Sequence, residues 1–518
     1  EALGAAEALA GARDIVAEEV MEQPAVRARG RATLKRGACL QSTLKSPKLF
    51  KGKEGKEGGH SRAQTYRTYA EFSSVLSRVQ PHHVLAINRG EREKALAVEV
   101  ALDPDAVKRF KLWLRIHSLD GSPPPPRQQL GGASGGGVSR GGASGGGGGG
   151  AHESWDEALG FALDDGFKRL LLPSLVREWR AELLAAAEAK SLEVYALNLR
   201  QKLLQPPLKG KVILAVDPGL RTGCKVAVVS VTGLPLASAT LMLPLKGGGL
   251  AGGGAALRHK AAVQKLLGLL KEHGVELVAI GNGTGSREAE ALVVDALTEL
   301  QGNNEKGSEG SRGAVLRYTI VDESGASVYS ASRHATKELP GMDVALRGAV
   351  SLARRVQDPL AELVKIDPKA LGVGMYQHDV DQKMLASELA RVVSSAVNAV
   401  GVDVNQASPA LLTYVSGLTP RLAELIVGAR DGQAAGRFDQ VAQVRGVKGV
   451  GPKAFQQAAG FLRVYDGADP LDATEVHPEA YQALREGLAK LKGLQDDSQL
   501  GKAPGASEEE EEEEDSDR

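Results

Sequence analysis

The sequence predicts a multi-domain chain in which all-α regions flank one α/β domain built on a mixed sheet and a disordered acidic tail ends the chain. Three observations predict it. Residues 152–205 read as helix throughout, residues 210–357 alternate strand-like and helix-like segments, and residues 384–465 return to helical spacing around two glycine-bearing turns. Length agrees, because 518 residues are long for one core and two to four domains are the expectation.

The first region, 1–120, reads as helical with a basic loop. Leu3, Ala6, Leu9, Ile15 and Val20 fall at helical spacing. From Arg27 to Arg67 there are twelve Lys or Arg and two Glu, with GKEGKEGGHSR inside as a mobile loop. HHVLAINRGEREKALAVEVAL then reads as a helix end, an exposed Asn88-Arg89-Gly90-Glu91 turn and a strand-like run. Residues 121–151, rich in Pro and Gly, cannot pack a core and read as a disordered linker or insertion. Region 152–208 is helical, with a break or kink at Pro173 and an end at Pro206-Pro207.

Region 209–365 is the α/β domain. VILAVD, KVAVVSV and LPLASATLML are three adjacent strands, VELVAIGNG a fourth and LRYTIVDES a fifth. Helices follow at Lys260–His273, REAEALVVDALTEL and MDVALRGAVSLARRVQ. Region 366–480 is all-α, and the hydrophobic pattern fades beyond it, so 481–518 reads as a disordered acidic tail.

The formal net charge is zero, but the charge is unevenly placed. Glu508–Asp517 holds nine of the 64 acids and Arg518 one of the 64 bases, so the rest carries 55 acids against 63 bases, a net +8. A basic body suggests a polyanion partner, and the acidic tail a segment that competes with it. Cys39 and Cys224 are too far apart for a CxxC zinc site, and a reducing, intracellular compartment is expected, with nucleus, cytoplasm and plastid all open. No apolar run reaches membrane-spanning length, so no membrane partner is expected. A chain that opens on EALGAAEALA reads as a fragment or processed product.

Two constellations bear on chemistry. Asp217 ends the first strand of the α/β region, Glu323 ends the fifth, and Asp343 opens a helix. Clustered carboxylates are what a two-Mg²⁺ nuclease needs, since hard oxygen ligands bridge the ions. The other reading makes Asp217 a turn residue, Glu323 a loop residue, and Asp343 a helix cap that pairs with Arg347. No fourth acid is near, because Asp358 lies about 22 Å along the helix. The second constellation is a pair of hairpins, YVSGLTPRLAELIVGAR and VRGVKGVGPKAFQQAAGFLRV. Each joins a glycine turn (Gly417; Gly449 and Gly451) to an amphipathic helix, with Lys448 and Lys453 flanking the second. This helix-hairpin-helix pattern contacts backbone phosphate through N–H groups at a helix start and reads no bases. The alternative is a packing module that scaffolds proteins. GNGTGSRE reads as a strand-to-helix turn, and His378-Asp379 as part of a structural junction.

The strings DPGLRTGCKVAVV, IGNGTGSRE, ESGASVYSAS, RGAVSLARRVQDPLAELVKIDPKALGVGMYQHDV, VGVDVNQAS and AAGFLR resemble the Tex family of transcription accessory proteins, relatives of the eukaryotic Spt-six elongation factor. LAGARDIVAEEV and LNLRQKLLQPPLKG resemble that family's helical region. The resemblance covers about residues 3–120 and 152–480. It implies a YqgF-type domain of the RNase H-like fold, then tandem helix-hairpin-helix. It also implies nucleic acid as partner, RNA or DNA, within the transcription or translation machinery. In related resolvases the acids stand in the first strand, in a VDE-type motif and in the last helix, which map to Asp217, Glu323 and Asp343. The family is described as using this fold for binding, so an enzyme is not the expectation. Its N-terminal winged or helix-turn-helix region and C-terminal OB-type domain have no counterpart here.

Overall fold

A computed structural model describes residues 4–45, 65–119, 155–219, 221–243, 254–305, 316–433, 436–465 and 467–500. The GKEGKEGGHSR loop, the insertion at 121–151 and the acidic stretch Glu508–Asp517 lie outside the described residues. The chain divides into two compact units, one of Glu1–Val194 with Tyr376–Leu385, the other of Tyr195–Met375 with Ala386–Arg518.

The first unit is mainly helical: α1 (Ala5–Glu22), α2 (Pro24–Leu34), α3 (Pro81–Arg92), α4 (Pro104–Leu119), α5 (Trp155–Gly166) and the start of α6 (Leu172–Leu203). It also holds a sheet that helical periodicity alone does not announce. β1 (Cys39–Leu44) lies between β2 (Glu71–Val75) and β3 (Leu96–Ala101), both antiparallel to it. Only β3 showed a strand-like run. β2 alternates exposed and half-buried positions without a strong apolar side, so its pattern is weak.

The Asn88-Arg89-Gly90-Glu91 turn is corrected: these residues continue α3 as far as Arg92. Gly90 is there for close approach, since a Cβ on it would stand 2.6 Å from Leu96 Cδ1. Pro173 produces no break, since helical residues run on through it. It sits in the first turn of α6, directly after a π-helical turn at Phe167–Leu171, where the missing N–H and the ring disturb the regular ladder. Trp179, Leu171 and Phe110 fill the core.

The second unit contains the α/β domain. Its strands are β4 (Ile213–Asp217), β5 (Cys224–Val229), β6 (Pro235–Leu241), β7 (Leu277–Gly281) and β8 (Arg317–Val321), in the order β6-β5-β4-β7-β8. The first three pair antiparallel, while β7 and β8 run parallel to β4 and to each other. β4 is buried on both faces. Leu214 and Val216 pack with α7 (Gly254–Glu272) and α8 (Ser286–Glu305), and Ile213 and Ala215 with α11 (Val344–Gln357). Between β8 and α11 come the short helices α9 (Ala326–Ser330) and α10 (Arg333–Glu338), and α12 (Pro359–Leu363) follows.

The all-α part has α13 (Gln382–Val400), α14 (Pro409–Leu412), α15 (Pro420–Asp431) and α16 (Pro452–Ala459). A two-residue parallel ladder, β9 (Val402–Asp403) with β10 (Leu462–Arg463), ties its ends together. The tail assignment is corrected at its start, because α17 spans Tyr481–Leu500. Leu484, Leu488 and Leu491 recur at helical spacing, and Tyr481 anchors the first turn by donating to Asp472 Oδ1 at 2.9 Å.

Asp379 ties the Tyr376–Leu385 segment to α3 within the first unit. The Asp379 side chain is 4% exposed and accepts from Arg89 and, at 2.6 Å, from Arg92. Arg89 also lies over the Tyr376 ring, 5.3 Å from its centroid. Asp379→Asn should lower stability by about 1–3 kcal/mol, because it leaves two guanidinium groups without their buried counter-charge. Denaturant unfolding followed by tryptophan fluorescence checks this, Trp179 lying in that unit's core.

Candidate functional site

Asp217 is the last residue of β4 and faces Lys225 across the hairpin with β5. Its Oδ2 lies where α11 crosses the strand, and a Cβ on Gly348 would stand 2.8 Å from it. Glu323 follows β8 and folds over the glycines that end β7. A Cβ on Gly281 would stand 2.9 Å from Glu323 Oε2, and a Cβ on Gly283 would overlap the carboxylate. Asn282 stitches the two strand ends, donating its N–H to Val321 O at 3.0 Å and accepting from Glu323 N–H at 3.1 Å. Gly283 N–H donates to the Glu323 carboxylate. The GNGTGSRE turn therefore receives an anion from its own chain.

Burial pushes Asp217 up to about 6, the nearby Glu323 charge adds to this, and Lys225 opposes it. Glu323 is also raised, chiefly by burial, against the Gly283 N–H, and its Oε2 is buried without a hydrogen bond. Asp217 and Glu323 are thus brought together as an acidic pair. Asp343 is engaged elsewhere: it caps α11, accepting from Ala345 N–H at 2.9 Å. Gly348, the residue over Asp217, lies about 7.5 Å farther along the helix. Arg347 does not pair with Asp343. It donates to Met342 O at 3.1 Å and to Thr336 Oγ1 at 2.9 Å.

Among the described residues, no three His, Cys, Asp or Glu side chains are placed to hold a metal ion. The donor set is two carboxylates beside a lysine, with glycine at the helix position that overlies Asp217. That set does not fit a Mg²⁺ pair, which needs more bridging oxygen ligands and no competing cation. Lys225 was not foreseen, because the six-residue connection between β4 and β5 leaves the register opposite Asp217 open in the sequence.

The second region is the pair of hairpins. Gly417 adopts φ 84° in the turn between α14 and α15, and Gly449 φ 103° in the turn before α16. Each turn packs on the other hairpin's helix. A Cβ on Gly417 would stand 2.8 Å from Ala454 O of α16, and one on Gly449 3.0 Å from Leu425 Cδ1 of α15. Gly451 caps α16, and nothing lies within 4 Å of where its Cβ would be. Lys448, Gly449 and Lys453 are exposed.

The reciprocal packing shows a residue that the sequence reading missed. Thr419-Pro420-Arg421 opens α15 as Gly451-Pro452-Lys453 opens α16, so Arg421 and Lys453 hold the same place in the first turn. Arg421 is exposed, and the repeated Pro-base dipeptide was the available signal. Among the described residues Arg421, Lys448 and Lys453 have no carboxylate partner. Positive side chains at exposed helix starts are suited to a polyanion and weaken the helix otherwise.

Family models match three parts of the chain: the Tex central region-like model at 3–116, the Tex protein YqgF-like domain at 211–357, and the helix-hairpin-helix motif at 397–463. The chain belongs to the Tex family. It is 40% identical over 497 residues to the protein named tex of Bordetella pertussis, covering 94% of this chain and 55% of that one. It is 44% identical over 342 residues to the transcriptional accessory protein Tex of Neisseria gonorrhoeae, covering 64% of this chain and 42% of that one. It is 38% identical over 430 residues to a human S1 RNA-binding domain-containing protein, covering 83% of this chain and 38% of that one. The chain therefore spans little more than half the length of these Tex relatives at most. No helix among the described residues is long and apolar enough to cross a membrane.

Two outcomes follow for the acidic pair. The folded state holds a proton on Asp217 more tightly than the unfolded chain, so this residue favours folding below about pH 4. That contribution is lost as pH rises through about 6. Asp217→Asn should accordingly stabilise the protein at pH 8 by on the order of 1–3 kcal/mol, with the gain fading below pH 4, as read from denaturant midpoints across pH. Gly283→Ala should lower stability by about 1–3 kcal/mol by displacing the Glu323 carboxylate. Adding Glu323→Ala in the same chain should recover much of that loss, measured as a double-mutant cycle.

Proposed function

We propose that this Tex-family chain binds nucleic acid through sequence-independent phosphate contacts and acts in transcription or RNA metabolism. The observation that carries the reading is the matched pair of helix starts. Arg421 and Lys453 stand in equivalent first turns, and Lys448 with the Gly449–Gly451 turn, open at Gly451, lies beside the second. Phosphates bind there by charge and by N–H groups, with release of counterions. The relatives' names supply the process: one is called a transcriptional accessory protein, another an S1 RNA-binding domain-containing protein. RNA, DNA and the transcription or translation machinery are the partners in this reading, within an intracellular compartment.

Metal-dependent cleavage at Asp217, Glu323 and Asp343 is the competing reading. The Asp217–Glu323 pair supports it, and Gly348, Lys225 and the capping role of Asp343 count against it. We read the pair as the remnant of a nuclease site, with Asn282 rather than the carboxylates joining the ends of β7 and β8.

Binding of a labelled duplex at stepped salt tests the first reading. Replacing Arg421, Lys448 and Lys453 by Gln should weaken binding and flatten the slope of log K against log salt by roughly 0.9 per contact removed, about 2.7 in all. An unchanged slope would leave the hairpins as a protein-packing scaffold. Incubation with Mg²⁺ or Mn²⁺ and junction, single-stranded or duplex substrates should give no cleavage. Cleavage that disappears in Asp217→Asn would establish the nuclease instead.

A further inference from the structure

The first unit has a cleft of about 380 Å³ where α2 and the turn after it face α4. Arg29 and Arg36 line one side, Arg109 and Trp113 the other. Among the described residues neither Arg29 nor Arg36 has a carboxylate partner. Arg29 lies over the Trp113 ring, 5.6 Å from its centroid. His117, one turn farther along α4, stacks on Trp113 with centroids 4.7 Å apart and planes at 25°.

One acid shares the cleft. Asp103 accepts from the N–H groups of Asp105 at 3.1 Å and Ala106 at 3.3 Å and lies 3.6 Å from Arg109. Its lone pairs are largely committed to starting α4. The cleft keeps a net charge of +2 from its three arginines and this aspartate. Gly37 lets the turn close on α4, since a Cβ there would stand 2.9 Å from Asp103 Cβ.

Three exposed guanidinium groups around an aromatic stack are what an unpaired nucleotide needs. Guanidinium forks take phosphate oxygens, and a base extends a π stack without being read for identity. A duplex keeps its bases stacked inside and offers only phosphate. We propose that this cleft binds one or two nucleotides of a single strand, with phosphate on Arg29, Arg36 and Arg109 and a base added to the Trp113–His117 stack. The inference rests on the nucleic-acid reading above but assigns a contact separate from the hairpins, selective for unpaired strands.

The test uses the whole chain with oligouridine, oligothymidine and a duplex of equal length. Arg29→Gln with Arg36→Gln should weaken both single strands several-fold and flatten their salt slope by about 1.4, while duplex binding holds. The hairpin substitutions should do the reverse. Photocrosslinking with 5-iodouridine in the oligonucleotide should label the tryptic peptide Leu112–Arg115, and Trp113→Leu should abolish that label. If oligouridine labels Leu112–Arg115 and oligothymidine does not, the ligand is RNA; labelling by both makes it any single strand. If wild-type protein binds and crosslinks fall only on the hairpins, with Arg29→Gln and Arg36→Gln silent, this inference fails and the proposed function stands. If no strand or duplex binds at all, both fail.

Discussion

The α/β domain depends on burying a helix that is far from wholly apolar. α11 crosses the sheet with Arg347, Ser351, Arg355 and Gln357 all buried. A buried charge or amide costs several kcal/mol unless it is hydrogen-bonded. The surrounding loops supply the partners. Arg355 donates through Nη1 alone to the carbonyls of Asp322 and Ser324, its Nε and Nη2 staying buried without a partner, and Gln357 donates to those of Lys211 at 2.8 Å and Ser230 at 2.7 Å. Ser351 donates to buried Glu362 at 2.6 Å, which pairs with Lys365 at 2.9 Å. The Arg355 and Gln357 contacts fix the loops at Asp322–Ser324, Lys211 and Ser230, so the helix positions the segment that carries Glu323.

That burial also explains why the site was only half legible in the sequence. The strand ends were readable, because apolar runs stop at Asp217 and at Val321 and polar turn residues follow. Their meeting follows from β7 lying between them in a parallel sheet. Asp343 was not readable. Sequence places it at the head of the right helix but says nothing of which turn lies over Asp217, and the close approach needs glycine there. Gly348 is that turn, and a carboxylate five residues earlier is a cap.

The helical regions were readable for a different reason. Glycine at positive φ is costly to replace, so Gly417 and Gly449 mark the hairpin turns even in an isolated sequence. What the sequence hid was the pairing between hairpins. It rests on contacts of each turn with the other's second helix, far apart in the chain, and it revealed Arg421. The small antiparallel sheet was hidden likewise. β1 gains its partners from segments on either side of it, and its own CLQSTL alternation is too short to choose strand over loop.

Net charge is a poor guide to what such a chain binds. The formal total is zero because one acidic run offsets a basic body. In physiological salt, exposed charges farther apart than about 8 Å are largely screened from each other. In the proposed reading a phosphate at Arg421 or Lys453 responds to its immediate neighbours and to the dipole of the helix start. The same reasoning separates the acidic pair from the proposed binding surfaces. Asp217 and Glu323 are partly withdrawn from water, with raised proton affinity and Lys225 alongside, so the field they project on a passing strand is weak. A fold that keeps two carboxylates can thus still bind a polyanion, provided that the carboxylates stay inside and the unpaired bases stay out.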